Sequence, residues 1–387
     1  MGSIPVRTAT RRPRSRRLPV LAAVLGSVGL LAGCVVDTHA AALGKPHPGP
    51  YTIAISNGYN GNTWRAQFIG NLQTRAQELK DQGVLKDFTL VSAGTDINRQ
   101  LSQIDQIVLD KPDAVLIAPT SGAAAEVAAE KFKAAGIIPF VINDPAPTKS
   151  AINIVPDNAA WYETQTRWLT DGLGGSGKIV QVTGLPGNPS DNARQKAAAG
   201  VLAKFPGITT VATVPGYWDQ GKARQAMSTV LSSHNDINGI LEQDIMGLGV
   251  IQAFESAGVA LPKYMTGDYT KGFLEKWQSL PQLETMAVPY SPTDGADALN
   301  IIIKILQGKQ LKPGVLQPNS IDSSITDNTI LLPPSLAITS DGKKGSWTPP
   351  GMDVISLDEA LRRVNGKPET FAVEAPVSEE QVNAYFQ

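Results

Sequence analysis

Aromatic, amide, carboxylate and guanidinium side chains recur in this sequence directly after short apolar runs, where the chain turns toward a helix. The first such place is Ser56-Asn57-Gly58-Tyr59-Asn60-Gly61-Asn62-Thr63-Trp64-Arg65. Amides offer both donor and acceptor groups, and an aromatic face packs against the C–H surface of a sugar ring. Tyr59 and Trp64 in this polar loop therefore suit a neutral polyhydroxyl ligand; a glycine turn with an Asn cap and a core Trp is the plain structural alternative. Asn143-Asp144-Pro145 follows the apolar run Pro139 to Ile142 in the same way. The Asp144 carboxylate can accept two hydroxyl hydrogen bonds at once, and charge-assisted bonds are roughly twice as strong as neutral ones. Capping a turn before proline is its other use. Farther along, Arg194 opens a helix after a Gly/Pro loop, Trp218 follows the run ending at Pro215, and Gln243-Asp244 and Asp268 follow two more. The helix dipole opposes a cation at a helix start, so Arg194 should face a ligand or a nearby Asp.

Catalytic signatures are missing. No Gly-x-Ser-x-Gly elbow, His-Glu-x-x-His or Gly-x-x-x-x-Gly-Lys-Ser/Thr loop occurs, and the glycines between Asp171 and Lys178 precede an apolar run instead of following one, as a connecting loop does. Carboxylate pairs such as Asp144 with Asp268 leave a glycosidase open by residue type, without a positive signal for one. His39, His47 and His234 are too scattered for a zinc site, and Cys34 is the only cysteine, so no metal and no cofactor is expected.

The elements that position these residues repeat. Strands are expected at Tyr51 to Ser56, Phe88 to Ser92, Ala114 to Ala118 and Pro139 to Ile142, separated by helices at Asn62 to Gln82, Ile97 to Leu109 and Gly122 to Ala135. The rhythm restarts after Asp157, with helices from Asn158, Asp191, Gln220 and Met246 and strands at Lys178 to Thr183, Thr209 to Pro215, Gly239 to Gln243 and Tyr264 to Gly267. Continuous apolar runs between helices mark parallel sheets covered on both faces. The fold class is thus α/β, two doubly wound parallel-sheet lobes joined by a hinge, with a site in the cleft between them. A first lobe of 51–153 plus 290–320, a second of 154–289 plus 321–333, and a C-terminal extension over 334–387 packing on the surface are expected. A helix from Asp294 to Gln307 and a strand at Thr329 to Leu332 complete the reading.

From about Tyr51 to Pro333 the chain resembles the sugar-binding periplasmic proteins of ABC importers, the ribose-type cluster of the type I periplasmic-binding fold. Arg194 keeps the family's spacing to Lys204-Phe205-Pro206-Gly207-Ile208, Trp218-Asp219 stands where the family has an aromatic followed by Asp, and Gln243-Asp244-Ile245-Met246-Gly247-Leu248-Gly249 matches N-D-x-M-A-L-G. Asn62-Thr63-Trp64 is similar to N-P-(F/W). The resemblance implies that Asn62 hydrogen-bonds a sugar, Trp64 and Trp218 stack on it from opposite sides, Gln103 reaches it from a helix, and Asp144 and Arg194 clamp it. Asp268 stands for the Asp of G-F-D-G, with Tyr269 the alternative, and Tyr290 or Ser291 replaces a hinge-side Gln. The sequence departs from the family at Pro145, where an Arg is usual, at Ala197-Ala198 for Gly-Phe, and at Gln243 for Asn. The implied partners are a carbohydrate, such as a monosaccharide or sugar alcohol, and a membrane permease. A sensory receptor of the same fold, acting through a chemoreceptor or kinase, is the alternative.

The N-terminus fits an exported protein. Six arginines between Arg7 and Arg17 precede an apolar run from Leu18 to Leu31, and Leu31-Ala32-Gly33-Cys34 resembles a bacterial lipobox, which implies a signal peptide over 1–33, lipidation of Cys34 and a tether over 34–50. The run is shorter than the roughly 20 residues of a spanning helix. Without residues 1–33 the chain has 28 basic against 35 acidic residues, a formal charge of −7 that argues against nucleic acid. A monomer tethered to the membrane surface is expected.

Overall fold

The computed structural model describes residues 48–94 and 96–387; the signal, Cys34 and the tether up to residue 47 lie outside them. Eight elements run first: β1 (Tyr51–Asn57), α1 (Thr63–Asp81), β2 (Leu85–Ser92), α2 (Ile97–Asp110), β3 (Ala114–Ala118), α3 (Gly122–Ala134), β4 (Ile138–Ile142) and β5 (Ile152–Pro156). A second series follows: α4 (Asn158–Gly172), β6 (Ser176–Thr183), α5 (Pro189–Leu202), β7 (Gly207–Pro215), α6 (Gln220–Leu231), β8 (Gly239–Glu242), α7 (Gly247–Ala257), β9 (Tyr264–Gly267), α8 (Lys271–Gln278) and β10 (Glu284–Ala287). The chain ends with α9 (Asp294–Leu306), β11 (Thr329–Leu332), β12 (Leu336–Thr339), β13 (Asp353–Ser356), α10 (Leu357–Arg363) and α11 (Glu379–Ala384).

These strands build two sheets. The first has the order β11-β5-β4-β3-β1-β2 and is parallel throughout; the second has the order β13-β12-β10-β9-β8-β6-β7 and is parallel except where β10 meets β12. Every residue of β3 (AVLIA) is buried, as a central parallel strand between helical layers requires. In each sheet the order reverses next to the opening strand, between β1 and β3 and between β6 and β8, and such switch points open a crevice at the carboxyl ends of the strands. Local signals set the helices: Asn62 caps α1, Asp96 caps α2, and Asn188 caps α5 with Pro189 in its first turn.

Residues 321–333 were expected in the second lobe, yet β11 pairs with β5 at the edge of the first sheet, from Thr329 opposite Asn153 to Leu332 opposite Pro156. Asn328 secures that edge through side-chain bonds to the carbonyls of Thr148 and Ala151. The C-terminal extension is no surface appendage either. β12 and β13 complete the second sheet, α10 packs on α8, and α11 packs on α9 of the first lobe. Between the last two helices, residues 369–375 bond to both lobes. On the second-lobe side, Val373 N–H donates to Tyr269 and the N–H groups of Lys271 and Gly272 donate to Phe371 and Glu369; on the first-lobe side, Gln67 of α1 exchanges two bonds with Ala372. Three further elements, β5, α8 and β10, are not among those expected from the sequence.

Candidate functional site

The loops after β1, β3 and β4 of the first lobe and after β6, β7 and β8 of the second surround one cavity of about 510 Å³. Four of the six non-glycine residues with positive φ among the described residues line it: Asn143 (65°), Tyr217 (60°), Trp218 (53°) and Asp244 (68°). Each such residue stores strain of about 1–3 kcal/mol, and strain of this kind collects at functional sites.

The first-lobe wall is built from Tyr59, Asn62, Trp64, Arg65, Asn143 and Asp144. The Asn62 side-chain oxygen accepts from the Arg65 N–H at 2.8 Å, so it caps α1 as well as facing the cavity. Trp64 is only 8% exposed. Its ring stacks on Phe68 (5.7 Å, 16°) and its Nε1 donates to the Tyr290 carbonyl at 2.8 Å, leaving a margin at the cavity. Tyr59 is the more available aromatic. It lies over Gly61, where an added Cβ would come within 2.6 Å of the phenol. Arg65 is stacked near Tyr59, Trp64 and Phe68, with its guanidinium carbon 4.7 Å from the Phe68 centroid. Its Nη2 donates to Asn143 Oδ1 at 2.6 Å and approaches Asp144 Oδ2 at 3.4 Å.

Arg194 anchors the second-lobe wall. Burial opposes its charge, but Asp244, then Tyr290 and Tyr269, outweigh burial and hold its pKa above the ordinary arginine value. Nη1 reaches Asp244 Oδ2 at 3.3 Å, Nε donates to Asn158 at 2.8 Å, and the guanidinium lies 4.4 Å from the Trp161 ring and 4.5 Å from Tyr290. Arg194 does not open its helix, since α5 begins at Pro189 and Arg194 is its sixth residue, so burial rather than the helix dipole is what calls for an acid; that acid is Asp244, whose other oxygen accepts from the Tyr269 hydroxyl. Burial raises the Asp244 pKa, with Arg194 and Tyr269 acting against it. Asn158 also donates to Ser190 Oγ at 3.4 Å, and Ser190 donates to Asp144 at 3.2 Å. One chain of polar contacts therefore joins Arg194 to Arg65 across the cleft.

Seven of the residues singled out in the sequence, Tyr59, Asn62, Trp64, Asp144, Arg194, Trp218 and Asp244, meet at this cavity; Gln103, Gln243 and Asp268 do not line it. Gln103 donates to the Ser92 carbonyl at 3.1 Å, and it is Gln100, one turn earlier, that reaches the end of β3 by accepting from the Thr120 N–H. Gln243 is fully buried: it donates to Asp191 at 2.9 Å and accepts from Trp218 Nε1 at 3.3 Å, which positions the indole. Asp268 accepts from the Thr270 N–H at 2.6 Å, and burial lifts its pKa to about 7. Arg65, Asn143, Ser190 and Tyr290 are wall residues that the sequence reading did not assign firmly. Arg65 had a signal: Pro145 removes the cation that follows this Asp in the ribose-type pattern, so Asp144 needed another.

A model of the family described as "Periplasmic binding protein domain" matches residues 53–310. The chain is 32% identical over 170 residues to the xylitol-binding protein of Mycolicibacterium smegmatis, an alignment covering 43% of this chain and 49% of that protein. It is 25% identical over 211 residues to the ribose import binding protein RbsB of Bacillus subtilis, covering 54% and 67%. The chain thus spans from about half to two thirds of the length of these relatives. Among solved structures, an ABC transporter solute binding protein from Thermobispora bispora superposes with a TM-score of 0.62 at 23% identity, over 83% of this chain and 98% of that one. A galactofuranose binding protein gives the same TM-score at 18% identity, over 81% and 98%. Over most of its length this chain shares its fold with these structures, and with the family model matched across residues 53–310 it belongs to the periplasmic binding protein domain family.

Proposed function

We propose that this protein is the solute-binding component of an ABC importer and captures a carbohydrate, a monosaccharide or sugar alcohol, in the cavity between its lobes for delivery to a membrane permease. The observation that carries this reading is the composition of the cavity wall. Two half-buried aromatic rings, Tyr59 and Trp218, come from opposite lobes, and the same cavity is lined by Asp144, Asn143, Ser190, Arg194 and Asp244. Aromatic faces match the C–H surface of a sugar and the ionic and amide groups match its hydroxyls. The names of the xylitol- and ribose-binding relatives support the same solute class. Ligand contacts made by both lobes at once favour the closed arrangement through differential affinity. The protein binds its solute without converting it, and the sequence around Cys34 supports export and lipid anchoring.

A thermal-shift screen of pentoses, hexoses and polyols tests the proposal. A solute present at about 100 times its Kd adds about 2.7 kcal/mol to stability, so the cognate compound raises the melting temperature by several degrees. A flat response across the panel would refute the carbohydrate assignment.

A further inference from the structure

The cavity reverses the usual order of a protein surface. Its polar groups are deep: Arg194 is 1% exposed, Ser190 2% and Asn143 3%. Its mouth carries apolar side chains open to water, Ile97 45% exposed, Leu185 45% and Tyr217 40%, with the exposed Lys222 beside them. Only six large apolar side chains are this exposed among the described residues, and three of them line this one cavity. They come from three separate segments. Ile97 begins α2 in the first lobe, while Leu185 follows β6 and Tyr217 follows β7 in the second.

Tyr217 is held there at a cost. It and Trp218 are consecutive residues in the left-handed backbone region, which puts Trp218 against Gln243 and leaves the Tyr217 ring at the mouth, beside the Lys222 ammonium at 4.8 Å. Exposed apolar surface that lines a ligand cavity marks contact with an apolar partner. The partner is set by continuity: these three side chains bound the same 510 Å³ as the polar floor, within the roughly 300–1,000 Å³ of pockets that enclose drug-sized ligands.

We propose that the solute is an amphipathic glycoside, its sugar held on the polar floor and an aryl or alkyl aglycone packed on Ile97, Leu185 and Tyr217. The inference rests on the carbohydrate reading above and narrows it: the hydroxyls are read by Asp144, Arg194 and Asp244, and the substituent on the anomeric oxygen is read by the mouth.

Calorimetric titration with matched pairs tests it, each pair being a free pentose or hexose and its phenyl glycoside in both anomeric forms. At least one phenyl glycoside is expected to bind about tenfold more tightly than its parent sugar, the gain that burying a modest apolar area supplies. In Ile97→Ser and Leu185→Ser that ratio should fall toward one. Free sugars that bind as tightly as their glycosides throughout the panel would overturn the inference and leave the carbohydrate reading standing. A glycoside preference unchanged in both variants would also overturn it, placing the aglycone elsewhere. If Leu185→Ser impaired uptake while leaving the ratio intact, the mouth would be a permease-docking patch and the inference would be wrong. Binding of neither sugars nor glycosides would remove the carbohydrate reading itself.

Discussion

Trp218 shows how much of this site depends on single neighbouring residues. Its ring lies so close over Gly184 that an added Cβ would stand 2.2 Å from Cε2, and its Nε1 is fixed by Gln243, which Asp191 fixes in turn. Asp191 also accepts from the Gly184 N–H at 2.8 Å, so one carboxylate holds both the platform and the amide that orients the ring. Gly184→Ala must therefore displace the indole. Calorimetry should show the affinity for the solute reduced by about tenfold or more, while the melting temperature falls by no more than a few degrees; unchanged affinity would mean that the indole makes no ligand contact. Residue types after strands singled out Trp218, Arg194 and Asp144, which line the cavity, and Asp268, which instead accepts from the Thr270 N–H away from it. Arg65 was harder to see. The missing cation at Pro145 called for a partner to Asp144 without naming one, and it is the fold that brings Asn143 and Asp144 to within 3.4 Å of the Arg65 Nη2.

Among the elements, strands that alternate with capped helices were legible, as was the short apolar strand β11, while strands broken by polar residues or set among loops were not. Strand β5 carries Asn153 as its second residue, which breaks the apolar run; that side chain is fully buried, bonded to the Ala146 N–H and to Asn328, a contact that no local pattern foretells. Strands β10, β12 and β13 have four residues each and lie outside the strand–helix alternation that made the equally short β8 and β9 legible. Helix α9 was found, but not the burial of its first turn. Asp294 and Asp297 lie there, and burial pushes the pKa of each to about 7 despite hydrogen bonds from Asn143 and Thr293. An acid whose folded pKa is above its unfolded value binds more protons when folded, so stability falls as pH rises from about 4 through about 7 and is level above that. Thermal unfolding should accordingly show a loss of stability between pH 5 and pH 8 that is smaller in Asp297→Asn than in the unaltered chain. Equal losses in the two proteins would show that Asp297 does not titrate in this range.

On the scale of the whole molecule, the two lobes are joined by more than the three crossings at 156–158, 287–294 and 332–336. The segment between α10 and α11 crosses as well, tied to Tyr269 and Lys271 on one side and to Gln67 on the other. Tyr290, in the second crossing, is wedged between a tryptophan of each lobe, 5.6 Å from Trp64 and 5.8 Å from Trp161, and the indole nitrogens of both bond to carbonyls of this crossing. Hinge and cavity therefore share side chains, and a solute touching Tyr290 touches the crossing itself. Sequence reading foresaw the paired lobes but sent β11 to the wrong sheet, because its partner strand, β5, had gone unrecognised. In the proposed function the solute is held by both lobes at once. Calorimetric titration of the best compound from the thermal-shift screen into Asp144→Ala, a first-lobe change, and Trp218→Ala, a second-lobe change, tests it most directly. Each variant should lose affinity by about tenfold or more while remaining folded, since each removes a contact that the other lobe does not replace. A variant in either lobe that binds as tightly as the unaltered protein would contradict the account.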